Sequence, residues 1–401
     1  MTTRHSKRRS LKVVGLFAGI GGIEEGLRRN GHHAELLCEL DPVARNVLRQ
    51  KFPEAALFED IRKLRKLPSG VDLVAAGFPC QDVSLAGTQE GIRGSRSGLV
   101  EHTFRLIKRQ PPEFVLLENV LYLIKRDRGN QVRVVTDALE RLGYRWAYRV
   151  VDSRGFGLPQ RRQRVVILGS LGDTEPADVL FGRQVAPDID DSIGEIRDGD
   201  QYGFYWTEGK RAVGWAHQAV PTIKGGSGLG IPSPPAVFDV TTQLTGTPSI
   251  TDGERLQGFE PGWTDIVHEG NPLKVGKRWS LVGNAVSVPL ADWVGKELAT
   301  GPTQPSPSPI GTLDRRRPMP WALAGSTGHA LQYEVSAHVS HSRHEPIGSF
   351  LTDPVKPLSQ RAIHGFLQRV DCGVMKLPLA FLDALEKQLS ELSASVVTDR
   401  R

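Results

Sequence analysis

The sequence predicts an α/β protein built on a Rossmann-like, mostly parallel sheet, with a smaller and loop-rich second domain. Up to about residue 170, short apolar runs alternate with segments of helical apolar spacing. This rhythm is typical of parallel strands joined by crossover helices. Residues 170–250 break the rhythm and are rich in glycine and proline, which indicates the second domain.

Strands are predicted from short apolar runs, and helices from longer segments whose apolar residues recur with helical spacing. Gly31 and Gly143 stand where two of the helices should end, a position that glycine favours. The predicted strands are residues 12–17, 34–39, 71–76, 114–118 and 165–169. The predicted helices are residues 23–30, 42–51, 98–109, 130–142, 252–257, 288–298 and 381–392.

Composition predicts the domain boundaries. The α/β rhythm covers residues 1–171 and returns over residues 249–300, so the smaller domain is predicted at residues 172–248. Residues 301–309 are a run of proline, serine and neighbouring polar residues, which is typical of a semi-rigid linker. Residues 310–401 are predicted to be a C-terminal extension whose residue pattern indicates no particular chemistry.

The bulk properties describe an ordinary soluble protein, since 39% of the 401 residues are hydrophobic and 24% are charged. No stretch approaches the roughly 18 apolar residues of a membrane span, and no apolar segment follows the basic N-terminus. We therefore expect a cytoplasmic protein without membrane association. The formal net charge of +6 is compatible with a polyanionic partner.

The cysteines and histidines do not predict a metal site. The three cysteines are scattered without CxxC spacing, so neither a disulfide framework nor a zinc site is indicated. Three histidines recur at every third residue, at His338, His341 and His344. That spacing drifts around a helix, and no cysteine or carboxylate completes a ligand set. No metal is expected.

A glycine-rich turn follows the first predicted strand. Residues 17–22 read Phe-Ala-Gly-Ile-Gly-Gly, and these glycines allow a ligand to approach the backbone closely. Glu39 ends the second strand, about 20 residues further on, where an acidic side chain commonly holds ribose hydroxyls. The turn alone fits a structural role equally well. The turn and Glu39 together favour a cofactor that contains a nucleoside.

A cysteine lies at the edge of the predicted sheet where active sites of α/β proteins form. Residues 77–84 read Gly-Phe-Pro-Cys-Gln-Asp-Val-Ser and follow the strand at residues 71–76. A lone cysteine is usually buried and inert. Here the turn should expose Cys80, and Glu118 at the end of the next strand supplies a carboxyl group beside it. This context favours a nucleophile.

Residues 160–164 read Gln-Arg-Arg-Gln-Arg and enter a strand. Strand alternation places Gln160, Arg162 and Arg164 on one face. Such a face can pair with Glu118 and with phosphates. A solvated basic strand edge is the alternative interpretation.

These motifs resemble those of the DNA (cytosine-5)-methyltransferase family, of the bacterial modification type, in order and spacing from about residue 12 to residue 298. The matching segments are residues 17–22, 39, 59–61, 79–81, 118–120, 160–164, 255–259 and 283–286.

The resemblance implies roles for individual residues. The catalytic residues would be Cys80, Glu118, Arg162 and Arg164. The cofactor would be bound by Phe17, Gly19, Gly21, Gly22, Glu39, Leu40, Asp60, Ile61, Gly77, Pro79, Asn284 and Val286. DNA would be bound by Gln81, Ser84, Gln160, Arg162 and Arg255.

The resemblance also implies the reaction. The sheet would be of the S-adenosylmethionine-dependent methyltransferase type, with S-adenosyl-L-methionine as methyl donor and a cytosine flipped out of double-stranded DNA as acceptor. Cys80 would add to C6 of that base, and residues 172–248 would be the target-recognition domain. We expect a monomer that works alongside a restriction endonuclease. A tRNA cytosine-5 methyltransferase on the same fold is the alternative.

Three segments depart from the family pattern. Asp82 and Val83 stand where small and aromatic residues are common, and Asp152-Ser-Arg replaces the usual Asn-Ala. Thr251-Asp stands where the family commonly has an Arg-Glu pair. This difference puts in doubt how the following helix is supported, but it does not affect the chemistry. Residues 310–401 lie outside the resemblance.

Overall fold

The computed structural model describes residues 8–79, 98–189, 193–194, 196–226, 234–314, 317–374 and 376–398. The chain divides into two compact units. The first unit comprises Met1–Phe156, Gln163–Ala186 and Val286–Ser340. The second unit comprises Gly157–Arg162, Pro187–Ala285 and His341–Arg401.

The described strands, in chain order, are β1 (Lys12–Leu16), β2 (His33–Cys38), β3 (Ala56–Phe58), β4 (Leu73–Gly77), β5 (Phe114–Val120), β6 (Arg145–Asp152), β7 (Gln160–Arg161), β8 (Gln163–Ser170), β9 (Gln201–Phe204), β10 (Ala216–His217), β11 (Val220–Pro221), β12 (Ala236–Asp239), β13 (Leu244–Thr247), β14 (Val267–His268), β15 (Asn271–Pro272), β16 (Gly311–Thr312), β17 (Ala322–Ser326), β18 (His329–Gln332) and β19 (Lys356–Pro357). The described α-helices are α1 (Gly22–Arg28), α2 (Pro42–Lys51), α3 (Leu99–Arg109), α4 (Tyr122–Lys125), α5 (Asn130–Arg141), α6 (Pro176–Phe181), α7 (Ile250–Leu256), α8 (Val275–Asn284), α9 (Val288–Thr300), α10 (Ile347–Phe350), α11 (Gln360–Asp371) and α12 (Leu379–Thr398).

The first unit is built on a ten-stranded sheet in the order β16-β18-β17-β6-β8-β5-β4-β1-β2-β3. Strands β3, β2, β1, β4 and β5 run parallel to one another. Strand β8 runs antiparallel between β5 and β6. Since both neighbours of β8 oppose it, strands β1 to β6 all point the same way. The predicted α/β fold with a mostly parallel sheet is confirmed.

Alternation along the central strands fills both faces of this sheet. In β1, Val14 and Leu16 join one apolar core, whereas Val13 joins the other. Helices on both faces cover the strands, and Asp41 shows how the sequence fixes one helix start. Its carboxylate accepts hydrogen bonds from the backbone N–H groups of Val43 and Ala44, ahead of a proline at the first helical position.

Residues 310–340 extend the sheet of the first unit, because β17 pairs with β6 and carries β18 and β16 beyond it. Arg149 is hydrogen-bonded to the segment that follows β18. Its fully buried guanidinium donates to the carbonyl oxygens of Leu180, Arg183, Ser336 and His338. Burial lowers the pKa of Arg149 to about 9. These carbonyl groups take the place of a carboxylate partner.

The second unit is built on a five-stranded sheet in the order β10-β9-β12-β13-β19. Its apolar core joins residues of the strands, such as Phe204 and Phe238, to Phe366 of α11 and Phe381 of α12. The Gln388 amide adds a polar link, since its oxygen accepts from the Thr245 backbone N–H and its nitrogen donates to the Thr245 carbonyl.

The two units divide the chain differently from the predicted boundaries. The predicted extension at residues 310–401 is not one body, because residues 310–340 complete the first unit and residues 341–401 help to form the second. Likewise, the small domain predicted at residues 172–248 differs from the second unit, whose longest segment begins at residue 187, which also includes residues 157–162, and which shares its core with the C-terminal helices. Composition alone could not reveal these long-range contacts.

Within the described part of the chain, no helix is both long and apolar enough to cross a membrane.

Candidate active site

The glycine-rich turn connects β1 to α1 as the sequence predicted. Three of its residues have positive φ, with values of 55° at Phe17, 56° at Gly19 and 87° at Gly21. This backbone conformation favours glycine. A Cβ atom built on Gly19 would meet no described atom within 4 Å. The turn therefore leaves open space beside its backbone, as a cradle for a ligand requires.

Glu39 follows β2 and lies against this turn. Its Oε2 accepts the backbone N–H of Gly19 at 2.8 Å, and its Oε1 accepts that of Asp41 at 2.8 Å. The next side chain, Leu40, is 61% exposed, which is unusual for a leucine beside a sheet edge. The structure thus brings the glycine turn, the predicted ribose-binding acid and an apolar side chain together.

Asp60 and Ile61, both predicted to bind the cofactor, follow β3. The Arg62 guanidinium donates to both carboxylate oxygens of Asp60, and these hydrogen bonds lower the pKa of Asp60 to about 2. Asp60 is therefore ionised at neutral pH. Ile61 is 5% exposed and belongs to the apolar core. The Arg62 contact could not be foreseen from the sequence, because a side chain two residues away can point elsewhere.

The end of β4 leads to the predicted nucleophile. Asn119 donates to the backbone carbonyl of Phe78 at 2.8 Å, which ties the end of β5 to this segment. Pro79, predicted to bind the cofactor, is exposed. The predicted residues Cys80, Gln81 and Ser84 lie outside the described residues.

Glu118 and Arg164 form a buried ion pair in the first unit. The Arg164 Nε atom lies 2.8 Å from Glu118 Oε1, and both side chains are at most 10% exposed. The pairing of β5 with β8 explains the contact, because Glu118 opposes Val166 and Arg164 lies two residues along the same face. The prediction that the basic strand pairs with Glu118 is confirmed for Arg164.

Gly77 lies next to the Glu118 carboxylate of this pair. A Cβ atom built there would lie 3.5 Å from Glu118 Oε2 and 3.3 Å from Val286 Cγ2. Three residues predicted for the site, Gly77, Glu118 and Val286, therefore meet at the carboxyl end of β4. A larger side chain at residue 77 would crowd the Glu118 carboxylate.

Gln160 and Arg162 belong to the second unit, where both are buried. The Gln160 amide accepts from the backbone N–H of Ile223 and donates to the carbonyl of Leu256. The Arg162 guanidinium donates to the carbonyls of Ile223 and Ala285, at 2.9 and 2.6 Å. The alternation of burial that the sequence predicted is present, since Gln160, Arg162 and Arg164 are buried, but Arg162 lies between β7 and β8 rather than within one continuous strand. These hydrogen bonds join backbone groups far along the chain, whose positions the sequence could not show.

Arg255 and Asn284 also lie in the second unit. Arg255 donates to Asp252 Oδ1 at 2.9 Å, and its guanidinium stacks over the Phe350 ring. The buried Asp252 carboxylate also accepts the backbone N–H of Thr352. Asp252, whose support of α7 the sequence had put in question, therefore ties this helix to the C-terminal segment. Asn284 is exposed at the end of α8.

Two cysteines lie among the described residues, and they differ in burial. Cys38 is 3% exposed, and burial raises the pKa of its thiol to about 12, whereas Cys372 is exposed. Because the thiolate is the nucleophile, Cys38 is unsuited to catalysis. We expect iodoacetamide to label Cys372 in the native protein at pH 8, and Cys38 only after denaturation. Peptide mass spectrometry showing equal labelling of the two in native protein would contradict this.

Among the described residues, no group of three or more histidine, cysteine, aspartate or glutamate side chains is placed to hold a metal ion. His338 packs against Gly155, and the Nδ1 atom of His344 lies 2.8 Å from the carbonyl oxygen of Glu345.

The first unit thus has the form of an α/β enzyme whose glycine turn, strand-tip acid and buried Glu–Arg pair lie at the carboxyl ends of its parallel strands. A sequence model of the family described as C-5 cytosine-specific DNA methylase matches residues 11–213. The chain is also 47% identical over 387 residues to the Type II methyltransferase M2.BsuMI of Bacillus subtilis (strain 168), which covers 94% of this chain and 98% of that protein. The chain belongs to the C-5 cytosine-specific DNA methylase family.

The chain is also similar to a more distant relative and to a solved structure. The Type II methyltransferase M.MspI of a Moraxella species is 34% identical over 306 residues, covering 72% of this chain and 70% of that protein. The crystal structure of S. pombe Dnmt2 methyltransferase superposes with a TM-score of 0.51 at 17% identity, covering 72% of this chain and 98% of that chain. At that identity the likeness shows the fold alone.

Proposed function

We propose that this DNA (cytosine-5-)-methyltransferase transfers a methyl group from S-adenosylmethionine to a flipped-out cytosine within a defined sequence of double-stranded DNA. The Glu118–Arg164 pair carries this proposal. It places a buried carboxyl group beside the segment that leads to Cys80. Carboxyl, guanidinium and thiol are the groups that activation of a cytosine ring requires.

Two features of the first unit support S-adenosylmethionine as the cofactor. The positive-φ glycine turn leaves open space at Gly19, and Glu39 lies against it with lone pairs left for ribose hydroxyls. The exposed Leu40 offers an apolar surface for an adenine ring. When bound, S-adenosylmethionine supplies an electrophilic methyl group. We assign Phe17, Gly21, Gly22, Asp60, Ile61, Pro79, Asn284 and Val286 to the surroundings of this site on the family resemblance.

Cys80 is the proposed nucleophile. Its thiolate would add to C6 of cytosine, and the electron pair of the C5–C6 double bond would move to give a ring nucleophilic at C5. The burial of Cys38 removes one of the alternative thiols among the described residues.

Glu118 and Arg164 would stabilise the charge that this addition creates. The Glu118 carboxyl would hold a proton at N3 of the ring, and Arg164 would hold Glu118 and the ring oxygen O2 in place. After C5 is methylated, a base takes the C5 proton, and elimination of the Cys80 thiolate restores aromaticity. We give Arg162 a positioning role, since it holds the backbone of Ala285 next to Asn284.

The target base must leave the DNA stack, because C6 is not reachable within a duplex. Flipping costs roughly a few kcal/mol. Gln81 and Ser84 remain candidates to contact the opened duplex, on the family resemblance.

We assign sequence recognition to the second unit. Among the basic and aromatic residues of this unit, Lys210 and Arg211 are exposed, whereas Tyr202 and Tyr205 are buried. Lys356 of β19 is also exposed, so the C-terminal segment can contribute a phosphate contact. Gln160 and Arg255 would support this unit from within, since both bind its backbone.

The names of the relatives support a biological context. M2.BsuMI and M.MspI are both named Type II methyltransferases. We propose that this enzyme is likewise the modification enzyme of a restriction-modification system, acts as a monomer and protects DNA from a cognate endonuclease.

A duplex that carries 5-fluorocytosine at the target should trap the enzyme. Fluorine at C5 permits addition of Cys80 and methyl transfer, but it blocks the elimination that needs a C5 proton. We expect an adduct that survives a denaturing gel, requires S-adenosylmethionine and is absent in Cys80→Ser, whose hydroxyl group is a weaker nucleophile. Bisulfite sequencing of DNA from a host that expresses the protein would supply the target sequence for this duplex.

The controls separate the alternatives. An adduct that persists in Cys80→Ser and maps to Cys372 would refute the assigned nucleophile. A preference for the RNA version of the fluorinated substrate would identify a tRNA methyltransferase on the same fold.

A further inference from the structure

Glu24 is a buried carboxylic acid that the proposed mechanism does not use. It lies on α1, directly behind the glycine turn, and is 3% exposed. Its Oε2 atom is buried and makes no hydrogen bond within the described part of the chain. A buried, unpartnered carboxyl oxygen is costly, so it calls for an explanation.

Gly15 leaves the space that the Glu24 carboxyl group occupies. A Cβ atom built on Gly15 of β1 would collide with Glu24 Oε1 and would lie 2.9 Å from Leu37 Cδ2. Any other residue at position 15 would displace the Glu24 side chain. The absence of a side chain at residue 15 therefore places the acid between α1 and the ends of β1 and β2, at the edge where the cofactor is proposed to bind.

Two acids at this edge differ in how they are satisfied. Glu39 receives two backbone N–H groups, whereas the Glu24 carboxyl group accepts its own backbone N–H and its Oε2 atom receives no hydrogen bond among the described residues. Burial, together with the charge of Glu39, raises the pKa of Glu24 to about 7. The neighbouring Glu25 differs, because it is paired with Arg28 and Arg29. A cation bound next to Glu24 would therefore favour loss of its proton.

We propose that Glu24 is a second acidic residue of the cofactor site, whose carboxylate accepts a hydrogen bond from the α-ammonium group of S-adenosylmethionine. The inference rests on the proposed function. Neutral ribose hydroxyls need only the acceptor that Glu39 supplies. The α-ammonium group is cationic and donates hydrogen bonds, which the sulfonium cannot do, so it alone matches both properties of the Glu24 carboxyl group.

Calorimetry with three ligands tests this assignment in Glu24→Gln. S-adenosylmethionine and S-adenosylhomocysteine both carry the ammonium group, whereas 5′-methylthioadenosine carries the nucleoside without it. We expect Glu24→Gln to weaken binding of the first two about 10- to 100-fold and to leave the third unchanged. Loss of methylthioadenosine binding would reveal a merely structural role. Loss confined to S-adenosylmethionine would point to the sulfonium and overturn the proposal.

Proton release gives a second readout. At pH 6.5 the α-amino group of the ligand is protonated, while much of Glu24, with its pKa raised to about 7, should carry its proton. Binding of S-adenosylhomocysteine to the wild type should therefore release a proton, measured in buffers of different ionisation enthalpy. Glu24→Gln should release less, whereas the matched variant Glu25→Gln should behave as wild type. Equal release by Glu24→Gln and wild type would refute the role of Glu24.

The result for the wild type separates the two proposals. If the wild type binds none of the three ligands, the proposed function fails and this inference fails with it. If the wild type binds S-adenosylmethionine and Glu24→Gln binds it equally well, only the inference is overturned.

Discussion

Replacing Phe381 with alanine should lower the free energy of unfolding of the second unit by about 3–5 kcal/mol. The side chain is fully buried, and its ring centroid lies 4.9 Å from that of Phe204, 5.0 Å from that of Trp215 and 5.2 Å from that of Phe238. Truncation would open a cavity between α12 and the five-stranded sheet, because the Phe381 ring fills the space among these three aromatic rings.

Leu379→Ala is the matched control, since Leu379 lies on the same helix and is 76% exposed. Urea unfolding followed by tryptophan fluorescence should show a large shift for Phe381→Ala and a change within about 0.5 kcal/mol for the control. Equal midpoints for the two variants would show that α12 does not share the core of the second unit.

This core also bears on how recognition could be re-engineered. An exchange of residues 172–248 alone would replace β9, β12 and β13 while leaving α11 and α12 of the original chain against them. The exchanged unit would inherit mismatched packing. Strands and helices of such a unit should be exchanged together.

Glu118→Gln should reduce the rate of methyl transfer by about 10²- to 10⁴-fold, the usual range for loss of a general acid or base. The amide preserves the shape of the side chain but cannot transfer a proton to N3 of the ring. Single-turnover transfer of a labelled methyl group to duplex DNA measures the effect directly, and S-adenosylmethionine affinity should change little.

The control for this variant is Glu113→Gln, a half-buried glutamate next to β5 that pairs with Arg9. It removes a more exposed ion pair at the opposite, amino-terminal end of β5 without touching the proposed chemistry. Because Glu118→Gln also leaves the buried Arg164 without its carboxylate, thermal unfolding of both variants must accompany the kinetics. Transfer by a folded Glu118→Gln at the wild-type rate would exclude the proposed role.

The parts of the fold that were predicted correctly are those with strong local signals. Helix α2 has the predicted bounds because Asp41 caps it and Pro42 opens it. Strand β6 was not predicted, since Arg145 and Arg149 interrupt its apolar pattern, and only contacts with residues far along the chain explain a buried arginine there.

The contacts of the candidate site also differ in whether the sequence could predict them. The contact between Glu118 and Arg164 follows from strand alternation and could be predicted. The hydrogen bonds of Gln160 and Arg162 depend on residues 60 or more positions away, so the sequence could show only that these side chains share a face. Glu24 was not singled out, because a glutamate on a short helix looks like a solvated residue until its burial is known.

The discontinuous second unit also bears on how the protein is made. Its core needs Phe204 from the middle of the chain together with Phe366 and Phe381, and the segment 286–340 between them belongs to the first unit. During synthesis the N-terminal strands of the first unit emerge early, while the five-stranded sheet of the second unit must wait for α12 to leave the ribosome. A ribosome that stalls before residue 360 would therefore release a chain with an apolar sheet exposed to aggregation and proteolysis.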